Sequence, residues 1–106
     1  MFERCVCVSL SRRQDRWKRF TEGIPNGWPF PSVERYEAID GRLCKAPDWW
    51  TAGNPAWGCY RSHLRILEEC INTGVESCLF LEDDAVFNDG FVEQAQLFLD
   101  NLPKDW

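Results

Sequence analysis

The sequence predicts an α/β fold, a small Rossmann-like three-layer domain with three parallel strands in the spatial order 2-1-3 and flanking helices. Two observations predict this fold. Three short segments rich in strand formers alternate with segments of helical periodicity, which is the pattern of repeated strand and helix units. The second and third strand segments also end in acidic residues, as expected where the strands of an open parallel sheet meet a ligand-binding crevice. With 106 residues the chain is at most one small domain, spanning 1–106.

The first strand is predicted from Phe2 to Leu10, with cysteine, valine and leucine at its centre. Ser11 and Gln14 have the spacing of a capping box, which predicts a helix from about Arg12 to Glu22, closed by Gly23. The basic residues of this helix form a solvated face in the ordinary interpretation. In the functional interpretation, they reach a diphosphate held beyond the first strand.

Glycine and proline dominate residues 23–31, which predicts a loop before a second strand from Val33 to Ile39. Asp40 then follows either as an ordinary turn residue or as an acid at the carboxyl end of this strand. Residues 42–57 form an irregular segment rich in tryptophan. Its indoles either stack on a sugar or base, or cover a thin core.

The second helix is predicted from Asn54, an N-cap residue before a proline, to about Thr73, with Gly74 ending it. Gly58 in its first turn indicates close backbone packing or approach to a ligand. The apolar stripe places His63 near the buried face, where a single histidine is more often a hydrogen-bonded core residue than a ligand or base. That stripe consists of Tyr60, Leu64, Leu67 and Ile71, with His63, Ile66 and Cys70 beside them.

The third strand is predicted from Cys78 to Leu81, a short apolar run buried on both faces, and it stops at Glu82, Asp83 and Asp84. Three adjacent carboxylates repel one another, and water, protonation or a hard cation such as Mg²⁺ or Mn²⁺ relieves the repulsion. Acidic triplets are also common at exposed turns. The triplet therefore has two interpretations, a metal site and a solvated turn.

A last helix is predicted after Asn88 or Asp89, either of which can cap it, and it stops at Pro103. The alternation of strands and helices implies right-handed crossovers and the order 2-1-3. That order brings the turn from Leu10 to Arg16 beside the three acids.

Composition excludes several classes of protein. A net charge of −5 and a pI of about 4.8 leave no broad basic surface for nucleic acid or anionic lipid. The sequence contains neither a signal peptide nor an apolar run of membrane-spanning length, so we expect a cytoplasmic protein. Six cysteines without a CxxC pair, and one histidine, do not make a zinc pattern; most of the cysteines are expected to be buried reduced thiols.

Four blocks of the sequence match the motifs of one known family, in the order that the family has them. They are Val8-Ser-Leu-Ser-Arg-Arg-Gln-Asp-Arg16, Tyr36-Glu-Ala-Ile-Asp-Gly41, Gly58-Cys-Tyr-Arg-Ser-His63 and Leu79-Phe-Leu-Glu-Asp-Asp-Ala-Val-Phe87. Together they resemble glycosyltransferase family 25, the lipopolysaccharide-type galactosyltransferase family. The resemblance implies the N-terminal half of a GT-A fold that binds a nucleotide sugar. It further implies transfer of a hexose from a UDP-sugar to a saccharide acceptor, with inversion, using a divalent cation.

The same resemblance implies roles for individual residues. Asp84, with Asp83 or Glu82 alongside, would coordinate Mn²⁺ or Mg²⁺ and through it the donor diphosphate. The Ser62-His63 pair resembles the family's Ser-His pair, for which a positioning role is favoured over base chemistry. The residues implied for the nucleotide-sugar site are Leu10, Asp15, Arg16, Asp40, Ser62, His63 and Asp83.

The chain departs from the family pattern at Ser9, where the family usually has Asn, and at Asn54-Pro-Ala-Trp-Gly58. The resemblance also implies a truncated domain that lacks the acceptor half and any catalytic base expected there, so the catalytic residue is unknown. Two alternatives remain open. One is a non-catalytic binding or oligomerisation module that forms a homodimer through an open sheet edge. The other is a fragment of a longer protein.

Overall fold

The structure, a computed structural model, describes residues 1–106 and contains three helices and three strands. The strands are β1 (Arg4–Ser9), β2 (Glu34–Glu37) and β3 (Cys78–Glu82), and the helices are α1 (Gln14–Glu22), α2 (Asn54–Thr73) and α3 (Phe91–Asp100). The sheet is parallel, with the order β2-β1-β3. The predicted α/β class and strand order are confirmed, and the likeness to a GT-A fold stays a prediction.

The register of the sheet brings the carboxyl ends of all three strands to one edge. Val8 of β1 is paired with Tyr36 of β2 on one side and with Glu82 of β3 on the other. Since the strands are parallel, the residues that follow each of them also lie at this edge. The chain therefore presents the turn after β1, Asp40 and the acidic triplet in one place.

The central strand carries the core of the domain. Val6 and Val8 pack with Ile66 and Cys70 of α2, and alternation along the strand turns Cys5 and Cys7 to the opposite face. Both of these cysteines are fully buried as well, so both faces of the sheet are covered. Burial raises the pKa of the Cys5 thiol to about 11 and of the Cys7 thiol to about 12.

The helices cover the sheet from both sides, because right-handed crossovers from β1 to β2 and from β2 to β3 run in opposite directions along it. They place α1 and α2 on opposite faces. An aromatic cluster joins α1 to α3: the Phe20 and Phe87 ring centroids lie 6.0 Å apart, and those of Phe87 and Phe91 lie 4.9 Å apart. No helix is of a length and apolarity that would let it cross a membrane, and the cellular location stays a prediction.

The start of α1 differs from the prediction because the capping box does not form. The Ser11 hydroxyl donates instead to Glu37 Oε1 at 3.3 Å, and Gln14 Nε2 donates to the Ser11 carbonyl at 2.6 Å. The helix consequently begins at Gln14 and not near Arg12. Gly23 does follow its last residue, with φ −85°, a conformation open to any residue.

The buried face of α2 also differs from the predicted stripe. The buried residues are Gly58, Ser62, Ile66 and Cys70, whereas Tyr60, Leu67 and Ile71 are exposed. Small side chains at positions 58 and 62 let the backbone of the helix approach its neighbours closely, which turns this ridge inwards. The N-cap is Gly53, because Asn54 Oδ1 accepts a hydrogen bond from the amide of Ala46 at 2.9 Å.

The third strand lies at an edge of the sheet and is half-buried, not buried on both faces as predicted. The order β2-β1-β3 makes β1 the central strand, and the fully buried run is accordingly Cys5–Ser9. Glu82 belongs to β3 as its last residue. The last helix follows Gly90, which has φ 82°, so neither Asn88 nor Asp89 caps it.

Candidate functional site

A cleft of about 420 Å³ opens at the carboxyl edge of the sheet. Its volume lies within the range of small-molecule sites. Five of the predicted site residues line it: Leu10, Arg16, Asp40, Glu82 and Asp83. Residues after each of the three strands contribute to the wall, as the strand order requires.

One wall of the cleft is the segment after β2, which crosses the first turn of α2 in direct backbone contact. A Cβ atom on Gly58 would lie 2.5 Å from the Ile39 carbonyl oxygen, and one on Gly41 would lie 2.5 Å from Pro55 Cα. Ser62 fixes the same crossing, because its Oγ accepts from the Ile39 amide at 2.8 Å and donates to the Gly58 carbonyl at 2.7 Å. Ser62 is fully buried; it holds the wall and does not line the cleft.

Asp40 is fixed by two donors at this wall. Arg12 Nε lies 2.7 Å from Asp40 Oδ2, and the amide of Arg42 donates to Oδ1 at 3.0 Å. The Arg12 guanidinium, more than the backbone donor, holds the pKa of Asp40 below its usual range. The carboxylate is therefore ionised and oriented along the cleft wall.

Two acids of the triplet share one cation. Arg16 Nη2 lies 2.7 Å from Asp83 Oδ1 and 3.6 Å from Asp84 Oδ2, and Ser9 Oγ donates to Asp83 Oδ2 at 2.9 Å. The Asp83 side chain is only 9% exposed, whereas that of Asp84 is 67% exposed. Arg16 thus neutralises a nearly buried carboxylate and touches a second one that faces solvent.

The carboxylate of Glu82 has different neighbours, which lie on α2. Its Oε1 lies 3.5 Å from His63 Nε2 and 3.6 Å from Cys59 Sγ. Glu82 ends β3 and Asp83 is the first residue after it, and alternation continued past the end of the strand turns the two side chains to opposite faces. The structure therefore divides the acidic triplet, with Asp83 and Asp84 at Arg16 and Glu82 at α2.

His63 is partly exposed, and its ring lies edge-on to Phe80 with centroids 6.0 Å apart. Its Nε2 atom is buried without a hydrogen-bond partner, since the contact with Glu82 lacks hydrogen-bond geometry. The sequence favoured a hydrogen-bonded core histidine over a ligand or base; the Nε2 atom makes no such bond, and the role of the residue stays a prediction. The residue Cys59 is exposed as a whole. The pKa of its thiol is raised, mainly because the sulfur is partly buried and secondly because of the negative charge of Glu82.

Asp15 lies apart from the other candidate residues. Both oxygens of its carboxylate accept hydrogen bonds of 3.0 Å from Arg13, and the side chain is 60% exposed. The bond to Arg13 lowers the pKa of Asp15 to about 2. Asp15 does not line the cleft.

Sequence reasoning missed two residues of the site, Cys59 and Arg42. The available signal for Cys59 was its position one helical turn before His63, a spacing that places two side chains on one helix face. Arg42 contributes to Asp40 through its backbone amide, and the available signal was Asp40 itself, since an aspartate in a turn commonly accepts from the amide two residues on.

Comparison with known proteins is consistent with the four sequence blocks. Residues 51–106 match the profile of glycosyltransferase family 25 (LPS biosynthesis protein), which is more than half of the chain. The chain is also similar to a protein from Bos taurus named "Probable inactive glycosyltransferase 25 family member 3", with 25% identity over 119 aligned positions covering 95% of this chain. It spans only 20% of the length of that relative. No solved structure matches the chain. On the match over residues 51–106, the chain belongs to glycosyltransferase family 25.

Proposed function

We propose that the cleft binds a UDP-hexose through a divalent cation, as the donor-binding part of a glycosyltransferase that acts on a lipopolysaccharide or another glycan. One observation carries the proposal. Asp83 and Asp84 converge on a single nitrogen of Arg16 at the carboxyl edge of the sheet, where a cleft of about 420 Å³ is also lined by Arg12 and Asp40. Ligands of open α/β sheets bind at this edge.

The carboxylate pair fits a hard cation. Two oxygens from adjacent residues contact the same guanidinium nitrogen, so a positive charge is already accommodated between them. Carboxylate oxygens are the ligands that Mg²⁺ prefers, and they suit Mn²⁺ as well. When bound there, the ion would supply the charge that neutralises the donor diphosphate.

The other residues of the cleft have complementary tasks in this proposal. Arg16, once released from the two carboxylates, provides a planar guanidinium for phosphate oxygens. Asp40, held ionised by Arg12, accepts hydrogen bonds from ribose hydroxyls or the uracil, and Leu10 offers an apolar contact. Ser62 and His63 support the α2 wall. Asp84 lies just outside the cleft, beside Asp83, which lines it, and the proposal does not use Asp15, because Arg13 binds both oxygens of its carboxylate.

The proposal for this chain by itself concerns donor binding, without turnover. The relative from Bos taurus is named as a probable inactive protein, and the chain spans a fifth of its length. The identity of the sugar as galactose, and the acceptor, are carried from the resemblance to the family and belong to the proposal.

Calorimetric titration with UDP and UDP-galactose, with and without Mn²⁺, tests the proposal. We expect metal-dependent binding that Asp84→Ala weakens by more than about tenfold, because one of the two carboxylate ligands is removed. Asp84 is 67% exposed, so its truncation leaves the core intact. Asp89→Ala, a matched loss of charge at an exposed position of the same loop, should bind as the wild type does.

The metal site would be contradicted if the affinity for UDP were the same with and without Mn²⁺. It would also be contradicted if Asp84→Ala and Asp89→Ala weakened binding equally. The absence of binding under every condition would remove the donor site altogether.

The second candidate function is a non-catalytic module that associates through its sheet. β2 and β3 each pair only with β1, so each has one outer edge of unpaired backbone groups, which is a template for strand pairing. In this case light scattering would report a homodimer, and hydrogen exchange of β3 amides would slow as the protein concentration rises. A monomer at all concentrations would exclude it.

A further inference from the structure

Three side chains with different metal-binding atoms meet beside the cleft. Cys59 and His63 lie one turn apart on α2, and Glu82 ends β3. Their ligand atoms, Sγ, a ring nitrogen and a carboxylate oxygen, all lie within 4.8 Å of one another. Cys59 and Glu82 also line the cleft.

Two separations within this cluster, both measured from Glu82, match those of a tetrahedral metal site. Bonds of about 2.0 to 2.3 Å at tetrahedral angles hold two ligand atoms about 3.3 to 3.6 Å apart. Glu82 Oε1 lies 3.5 Å from His63 Nε2 and accepts a hydrogen bond of 3.6 Å from Cys59 Sγ, whose proton a metal ion would replace. An N–H···O hydrogen bond would hold its two heavy atoms at about 2.7 to 3.2 Å instead.

The histidine nitrogen of this cluster has no other role in the structure. Nε2 is buried and makes no hydrogen bond, although buried polar atoms are almost always paired. The edge-on contact with Phe80 restrains the ring, so the nitrogen stays directed at Glu82. An unpartnered imidazole nitrogen beside a thiol and a carboxylate is a donor set that suits a metal ion.

We propose that Cys59, His63 and Glu82 form a second metal site, which takes a borderline transition-metal ion such as Zn²⁺ or Co²⁺ and leaves a fourth position open. Sulfur and imidazole ligands select such ions, whereas the oxygen ligands of Asp83 and Asp84 suit Mg²⁺ or Mn²⁺. The division of the acidic triplet thus creates two neighbouring sites of different chemistry. Three protein ligands with an open position are the arrangement of catalytic zinc sites, and structural sites have four.

Binding at this site transfers a proton to the solvent. In the metal-free chain the thiol of Cys59 carries its proton and donates it in a hydrogen bond to Glu82 Oε1 at 3.6 Å. A zinc–sulfur bond forms with the thiolate, so the S–H bond breaks and the buffer accepts the proton. No oxidant or reductant takes part.

The test is a titration of the reduced, metal-free chain with Co²⁺ in the absence of nucleotide. We expect one equivalent of Co²⁺ to produce a thiolate-to-cobalt charge-transfer absorption that Zn²⁺ abolishes by displacement. Cys59→Ser should lose the absorption. His63→Ala and Glu82→Gln should weaken Zn²⁺ binding by more than about tenfold, which is the lower end of the loss for second-shell partners alone.

The control is Cys44→Ser, which removes a partly exposed thiol that lies outside the cluster and should keep the absorption. Asp84→Ala should bind Zn²⁺ like the wild type even where it loses UDP, which separates this site from the proposed donor site. The proposal would be overturned if the absorption never forms, persists in Cys59→Ser or disappears in Cys44→Ser. It would also be overturned if His63→Ala or Glu82→Gln bound Zn²⁺ with unchanged affinity.

Discussion

At the scale of single residues, the acidic triplet shows what the sequence can predict and what it cannot. The proximity of Arg16 to Asp83 follows from the order 2-1-3, which could be predicted from the alternation of strands and helices. The separation of Glu82 from Asp83 depends on where β3 ends and on how α2 is rotated. Both are consequences of packing, so the cluster with Cys59 could be found only in three dimensions.

Asp40 gives a prediction about pH. Its pKa lies below the ordinary value of 3.8, chiefly because of Arg12. A carboxyl with a lowered folded-state pKa stabilises the fold fully above its unfolded pKa and loses that contribution as the pH falls through the folded value. Asp40→Asn removes the charge, so the variant should be less stable than the wild type at neutral pH.

Urea denaturation from about pH 6 to about pH 3 checks this. The stability difference between the wild type and Asp40→Asn should shrink at the acid end. The exposed Asp89→Asn serves as the control, with a constant small difference. If the free energies of unfolding of the wild type and Asp40→Asn changed in parallel with pH, Arg12 would not stabilise the ionised form of Asp40.

At the scale of elements, the existence and approximate bounds of all three helices were predictable, but the inward face of α2 was not. Apolar periodicity favoured the stripe through Tyr60, Leu64 and Ile71. The structure instead buries the ridge of Gly58 and Ser62 with Ile66 and Cys70. This face is buried because its small residues let the backbone of α2 approach the segment after β2 closely. A search for periodic large apolar residues does not detect such small residues.

The tryptophan-rich segment before α2 is largely packed on itself. Trp50 and Trp57 lie 5.1 Å apart between ring centroids, and Trp49 and Trp57 lie 5.7 Å apart. This arrangement covers the start of α2, and the interpretation that the indoles cover the core stays a prediction. Trp49 is nevertheless 72% exposed, which leaves an indole face for the other interpretation, stacking on a sugar.

The crossing of α2 and the segment after β2 gives the second prediction. In Gly58→Ala the new Cβ would lie 2.5 Å from the Ile39 carbonyl oxygen, so the two backbones must separate. We expect a loss of about 1 to 3 kcal/mol in the free energy of unfolding, the usual cost of overpacking. Chemical denaturation measures it.

Gly23→Ala is the matched control, because Gly23 has a negative φ and its nearest added contact would be 3.4 Å. That variant should unfold within about 0.5 kcal/mol of the wild type. Equal stability of Gly58→Ala and Gly23→Ala would mean that the crossing is looser than the structure has it.

At the scale of the whole molecule, the fold is thin and its site is at one edge. Only 11 of 106 residues are buried, and both outer strands have an unpaired edge. A small core gives a small margin of stability, so ligands that bind the folded state should raise it by mass action. The sequence predicted the position of the cleft, because parallel strands and the acids after them share one edge.

The most direct test of the donor site is the mapping of backbone amide chemical shifts by NMR as UDP is added with Mg²⁺. Amides that follow the three strands should shift, including those of Leu10, Arg16, Asp40 and Asp84. Those at the opposite edge, where the Glu3 amide donates to the Ser77 carbonyl, should not. Shifts centred on the opposite edge, or no shifts at saturating UDP and Mg²⁺, would contradict a nucleotide-sugar site in the cleft.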